Sequence, residues 1–297
     1  MSNVLSGVTL KKGKTANTMV TLNFQRIVVY AFLILLLIIT IIPIYILFIN
    51  ATRSTEQIQQ GISLIPSNNI AKNWEKLAYK DKDFNMFSAF INSLTIAGCV
   101  TFLVQYFGSL TAYGIHVYNF KGRNTLYALI IAVIMIPPQL GLIGFFQFMA
   151  SVKLTGTYIP LIIPAIAAPG AVFFFRQYFQ SVLQLELIDA ARVDGSNELK
   201  TFHKIVIPII LPGLATNAIF TFVGTWNNFM LPFILLGGEK SKYTMPMMVQ
   251  LLRTDIYRTE YGGIYLGIAA SVVPVLVVYA LFSRYIISGI ALGGVKE

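Results

Sequence analysis

Six stretches of this 297-residue chain run for about a bilayer thickness without one charged side chain, and nothing else in the sequence limits the fold so severely. The first extends from Ile27 to Ile49. The others lie near Ser88 to Ile115, Leu126 to Met149, Tyr158 to Phe175, Ile205 to Leu236 and Ile264 to Phe282. A helix rises about 1.5 Å per residue, so about 20 apolar residues cross a hydrocarbon core of about 30 Å. A charged side chain at mid-span costs roughly 2.5–3.5 kcal/mol on the insertion scale, which makes the absence of charge informative. Hydrocarbon tolerates only helices or closed barrels, and barrel strands alternate over about ten residues, so the runs read as helices. Composition agrees, with 56% of residues hydrophobic, 11% charged and a mean hydropathy of +0.71. The expected fold class is an all-α integral membrane protein with six transmembrane helices.

Lys11, Lys12, Lys14 and Arg26 precede the first run with no acidic residue among them, and short basic flanks stay in the cytoplasm. Both termini are therefore expected inside, with residues 1–26 and 291–297 as cytoplasmic segments around a single multi-pass domain at 27–290. No Pro-, Gly- or Ser-rich linker divides that domain. The formal net charge of +10 is spread over loops, which fits membrane topology and anionic headgroups rather than nucleic acid. Cys99 is the one cysteine, so an intrachain disulfide and a Cys-based metal site are excluded. His116 and His203 have no paired carboxylate at metal spacing, and no metal site is expected.

Helix breakers gather in the middle of the chain: Pro137 and Pro138 in the third run, Pro160, Pro164 and Pro169 in the fourth, Pro208, Pro212 and Pro232 in the fifth. Each removes a backbone donor, and in lipid the freed carbonyl needs another partner. These runs therefore either face protein or a pathway, or are simply kinked. Gly263 with Gly267 and Gly289 with Gly293 form GxxxG pairs suited to close helix approach.

The stretch from Arg176 to Lys204 is too polar to cross a bilayer. Leu185, Ile188, Leu199 and Phe202 give it an apolar stripe, and Glu186, Asp189, Arg192, Asp194, Glu198 and Lys200 supply charge for another face. Gly195 interrupts it, which predicts two short helices with a bend. The acidic residues offset the basic ones, whereas a headgroup-binding helix is rich in Lys and Arg, so docking onto a protein partner is favoured.

Asp189, Ala190 and Ala191 are followed after three residues by Gly195, and nine residues later by Ile205, Val206, Ile207 and Pro208. This spacing resembles the cytoplasmic loop of permease subunits of binding-protein-dependent ABC importers, Glu-Ala-Ala, Gly and Ile-x-Leu-Pro, with Asp for Glu and Ile for Leu. The run from Ala190 to Ser196 is similar to the carbohydrate version. Asn92 and Ser93, and Trp226 to Asn228 with Pro232, extend the resemblance, and the ending Gly293 to Lys296 resembles that of the MalG-like member of maltose-type permeases.

The resemblance implies a type I ABC importer permease in the cytoplasmic membrane of a prokaryote, with coupling helices at about 184–204. It implies contact with the ATPase through Glu186, Asp189, Ala190, Ala191, Arg192, Asp194 and Gly195. The implied partners are a second permease, two ATP-binding subunits, an extracytoplasmic solute-binding protein, membrane lipid and a sugar, most simply an oligosaccharide. ATP and Mg would be used by the partner ATPase, with no cofactor and no catalytic residue in this chain. A phosphate-binding loop, a Gly-x-Ser-x-Gly turn and a His-Glu-x-x-His helix are all missing from the sequence.

Sugars are held by amides, hydroxyls and aromatic faces, and the fifth run offers Thr221, Thr225, Trp226, Asn227 and Asn228. These are candidates for a substrate path, with interhelical packing as the competing role for each. An ABC permease for a non-sugar solute is the alternative. A secondary transporter fits less well, because the runs carry no ionisable residue for an ion or proton site.

Overall fold

The computed structural model describes residues 12–78, 85–254 and 260–293, and the side chains among them except those of 12–25, 78, 252–254 and 284–293. Lys11 and residues 294–297 of the tail lie outside that set, as do the surroundings of Gly289 and Gly293. The described residues form helices and turns, with no strand among them.

Among the described residues, five helices are long and apolar enough to span a membrane: Arg26–Ala51, Met86–Val117, Ile159–Val182, Glu198–Trp226 and Tyr261–Ser283. They are spans 1, 2, 4, 5 and 6. Span 3 is a broken pair, Arg123–Ile134 and Pro138–Ser151, which meet at 84°. The third run was expected as one helix from Leu126 to Met149, and the structure corrects this. Pro137 and Pro138 cannot continue the backbone ladder, and Pro137 is extended at φ −60° and ψ 124°. The first arm has 12 residues and reaches only about 18 Å, too short to cross alone.

Proline also shapes spans 4 and 5. Span 4 extends to Val182, past the expected Phe175, and passes through a 3₁₀ turn at Ile163–Ile166 before Pro169 opens a new helix. Span 5 ends at Trp226, and a separate helix, Met230–Leu236, follows a three-residue break. The expected fifth run, Ile205 to Leu236, is therefore two helices, with Asn227 and Asn228 in the gap. Near the start of span 5, Pro208 has no N–H for the Lys204 carbonyl, and the chain opens there into a π turn at Phe202–Val206.

The core lies where spans 2, 4, 5 and 6 meet. Ile96, Ala97 and Val104 of span 2 pack with Phe175 and Phe179 of span 4, Ile210 and Phe222 of span 5, and Ile264 of span 6. Close approach is set by two glycines. A methyl group on Gly108 would stand 2.9 Å from the Ala171 Cβ, and one on Gly213 would stand 2.7 Å from the Tyr178 ring. The predicted pair member Gly263 has more room, 3.6 Å to the Asn73 carbonyl oxygen.

Span 1 lies against span 6 but adds little to this core. Its residues from 26 to 45 are exposed, and burial begins only near its far end with Ile49, Asn50 and Ala51. That end is tied down by a polar knot. The Asn73 amide donates to the Ala51 and Arg53 carbonyls, both at 2.9 Å, and Lys76 pairs with Glu260 at 2.7 Å. Thr55 donates to the same carboxylate at 3.1 Å. The hydrogen bond from Lys76 holds the Glu260 carboxyl below its ordinary range.

Gly108→Val should lower thermal stability of the purified chain in detergent by about 1–3 kcal/mol, because the span 2 to span 4 contact has no space for the side chain. Gly98→Val in the same helix has nothing within 4 Å of its Cβ position and should leave the melting temperature unchanged.

Candidate functional site

The polar segment between spans 4 and 5 folds as two short helices, Leu185–Val193 and Glu198–Thr201, on the same side of the bundle as Arg26. The bend between them is a helix C-cap of defined geometry. Gly195 is left-handed at φ +74°, its N–H donates to the Arg192 carbonyl at 3.0 Å, and the Ser196 N–H donates to the Ala191 carbonyl at 2.9 Å. This pair of bonds is the Schellman arrangement, which a residue with a Cβ adopts only with strain. Asn197 then caps the second helix by accepting from the Lys200 N–H at 2.8 Å.

The expected apolar stripe divides into two faces. Ile188 and Phe202 are fully buried and Ala191 nearly so, packed near Phe179 at the end of span 4 and Tyr113 at the end of span 2. Leu185, Leu187 and Leu199 point outward, and Val193 is 88% exposed. Glu186, Asp189, Ala190 and Asp194 are exposed as well. The two alanines therefore part company, Ala191 facing the bundle and Ala190 facing away from it.

A charged clamp joins this segment to span 2. The Tyr113 hydroxyl donates to one oxygen of Glu198 at 3.0 Å, and the Arg192 Nε donates to the other at 2.8 Å. Arg192 also donates to Asp189 at 3.0 Å and lies 5.6 Å from the centre of the Tyr118 ring. The Glu198 carboxylate, first among these, raises the pKa of Arg192 further above its ordinary value. Burial, with Glu198 nearby, raises the Tyr118 phenol. Glu198 stands at the start of its helix, where a negative charge also favours the helix dipole. One turn on, His203 meets the Leu199 carbonyl at 2.7 Å and Tyr106 of span 2 at 3.3 Å. Sequence reasoning assigned Glu198 to the charged face but missed its partner Tyr113, which lies 85 residues earlier.

The candidates on span 5 and just beyond it occupy three settings. Thr221 belongs to a polar cluster with span 2: Gln105 donates to it at 3.3 Å and accepts from Asn217 at 3.0 Å. Thr225 and Asn228 line a small pocket with Ser93, Ile96, Leu161 and Thr244. Trp226 is only 1% exposed, its N–H donates to the Ser271 carbonyl at 3.0 Å, and its ring packs against Phe90 and Phe222. Asn227 is exposed in the break after span 5. Asn92 and Ser93 clasp the segment before span 6: Asn92 donates to the Ser241 and Tyr243 carbonyls, and Ser93 accepts from the Met245 N–H at 2.8 Å. No group of three metal-ligating side chains stands together among the described residues.

Tyr113→Phe and Glu198→Ala should each lower stability by about 1 kcal/mol, and the double variant should lose less than the sum, since both remove one shared bond. A double-mutant cycle by thermal denaturation in detergent measures the coupling.

Residues 105–291 match the family described as binding-protein-dependent transport system inner membrane component. The chain is 37% identical over 262 residues to the arabinooligosaccharides transport system permease protein AraQ of Halalkalibacterium halodurans, covering 87% of this chain and 92% of that protein. It is 30% identical to the diacetylchitobiose uptake system permease protein NgcG of Streptomyces coelicolor, covering 89% and 87%. Similarity to the lactose transport system permease protein LacG of Rhizobium radiobacter is 31% identity over 91% and 96%. The fold is shared with a solved bacterial ABC transporter involved in import of the acidic polysaccharide alginate, with a TM-score of 0.74 at 20% identity over 96% of this chain and 100% of that one. Together with the six-span fold and the bent loop between spans 4 and 5, these matches place the chain in the family of binding-protein-dependent transport system inner membrane components.

Proposed function

We propose that this chain is the membrane-embedded permease subunit of an ABC importer for a small oligosaccharide. The observation that carries the reading is the two-faced segment between spans 4 and 5. One face is locked to spans 2 and 4, and the other presents Leu185, Leu187, Val193 and Leu199 beside the free carboxylates Glu186 and Asp194. An exposed apolar patch rimmed by charge is the form of a docking surface. On the orientation given by the basic N-terminal flank, that surface faces the cytosol, where an ATP-binding subunit would grip it. Asp189, Ala190 and the Gly195 cap set its shape, and Arg192 stiffens it from within.

Movement imposed on such a segment passes directly to its attachments. The Tyr113–Glu198–Arg192 clamp carries it to span 2, and the π turn at Phe202–Val206 carries it to span 5. Closure of two ATP-binding subunits would then move spans 2 and 5 between inward-open and outward-open arrangements, a two-state transition of the assembly. A second permease completes the path, an extracytoplasmic binding protein delivers the solute, and ATP with Mg acts on the partner subunits. The sugar class rests on the relatives' carbohydrate substrates and on uncharged polar groups, Thr221, Thr225 and Asn228 with Gln105 and Ser93, along the seam between spans 2 and 5. Trp226 supports that seam from behind by packing rather than by contact with solute.

Reconstituted in liposomes with its second permease, ATP-binding subunits and binding protein, the chain should give ATP-dependent uptake of a short oligosaccharide. Uptake of an amino acid or inorganic ion instead would refute the sugar assignment. Gly195→Pro, which cannot take φ +74° and removes an N–H donor, should abolish uptake while the protein still inserts, as should Asp189→Lys, which sets a cation against Arg192. Val193→Asp should weaken association with the ATP-binding subunit by about tenfold, about 1.4 kcal/mol, without altering the chain's own melting temperature. Co-purification and ATPase assays read these outcomes.

A further inference from the structure

The connection between spans 1 and 2 does not simply leave the bundle. It turns back and runs down beside span 1. We propose that its tip, residues 61–66, is embedded in lipid, in the leaflet at the Ala51 end of span 1.

Depth is fixed by one hydrogen bond. The Tyr45 hydroxyl donates to the Leu64 carbonyl at 2.8 Å. Tyr45 lies within the charge-free run that ends at Ile49, and six residues before Ala51, which is about 9 Å along the helix axis. Side chains on a helix lean toward its N-terminus, so this hydroxyl lies no nearer the Ala51 end than its own Cα. The Leu64 carbonyl is therefore at the level of the apolar belt of span 1. A tyrosine with its ring against hydrocarbon and its hydroxyl on a polar group also suits the membrane interface.

The tip has the chemistry for that position. No charged residue occurs between Glu56 and Lys72. Ile62, Leu64 and Ile65 are 81%, 60% and 76% exposed. Ile41, Ile42 and Ile44, about one turn along span 1 from Tyr45, are also exposed. In water three such side chains at the end of a loop would be unfavourable, whereas beside a lipid-facing helix they continue its apolar surface.

Backbone groups entering lipid need partners, and the fold supplies several. Arg53, itself buried, donates to the Gly61 carbonyl at 2.9 Å, to the Asn50 side chain at 3.1 Å and to the Gln57 carbonyl. Gly61 donates to the Ile58 carbonyl at 3.2 Å and turns the chain at φ +122°. The Ser63 hydroxyl accepts from the Ile65 N–H at 3.1 Å and donates to the Ile65 carbonyl at 3.3 Å. Pro66 has no N–H to satisfy. On the far side, the Ser67 N–H donates to the Thr52 hydroxyl at 2.8 Å, which brings the chain back to the end of span 1. The tip is thus pinned on both sides at a fixed depth.

The test uses the complete transporter in lipid nanodiscs, with Cys99 replaced by Ala and one spin label at Ile62 or Ile65. Both positions project into open space, so labelling leaves the fold intact, and the two readings are independent. Collisions with molecular oxygen and with a water-soluble nickel chelate report depth. The expected result is an oxygen-to-nickel ratio at both positions matching that of a label at Ile41, and opposite to that of a label at the exposed Lys72. A Lys72-like ratio would overturn the proposal by placing the tip in water. A label immobilised and shielded from both reagents would also overturn it, because the occupant would then be protein, either the second permease or the binding protein.

Discussion

Hydrocarbon offers a backbone amide no hydrogen-bonding partner, and that fact orders everything else in this chain. Long helices satisfy their own backbones and cross the membrane. Wherever proline interrupts them, the chain must recover the lost bond or turn. At Pro137 and Pro138 it turns by 84°, and at Pro208 it opens into a π turn. At Pro212 the helix runs on, and the Thr216 hydroxyl adds a bond to the Pro212 carbonyl at 2.9 Å. The breaks lie in spans 3 to 5, on either side of the polar segment, and this is the part of the bundle that must move if the segment is a lever.

That segment shows how a small piece of structure can be fixed on one side and available on the other. Ile188, Ala191 and Phe202 seal its inner face, and Glu198 ties it to Tyr113 through a bond between two groups far apart in sequence. Surface ion pairs contribute little individually, about 0–1 kcal/mol. Here, however, one carboxylate receives a phenol and a guanidinium at once, so the pair serves geometry more than stability. The outer face leaves its leucines and Val193 exposed.

Much of this was legible in the residues. The charge-free runs marked the spans, Gly195 marked the bend, and the Asp-Ala-Ala spacing marked the loop. What sequence could not resolve was which side of an amphipathic stripe each residue would take. Leu185 and Leu199 look equivalent to Ile188 and Phe202 in a helical projection, yet only the second of each pair joins the core around Phe179 and Tyr113, which folding alone brings near. Trp226 stood as a substrate-path candidate, with packing as its competing role, because aromatic and amide residues lie together in the sequence. Its burial depends on Phe90 and Ser271, which only folding brings near. The knot of Arg53, Asn73 and Glu260 was hidden for the same reason, since its members come from three separate parts of the chain. The break in span 3 was signalled by its prolines, while its angle was not.

Coupling requires that the segment between spans 4 and 5 face the cytosol and be covered there by an ATP-binding subunit. A single cysteine at Val193, in a Cys99→Ala background, tests this directly with a membrane-impermeant maleimide in sealed vesicles of known orientation. The expected result is modification only in inside-out vesicles, with protection when the ATP-binding subunits are present and release when they are stripped. Modification in right-side-out vesicles, or no protection by the ATP-binding subunits, would contradict it.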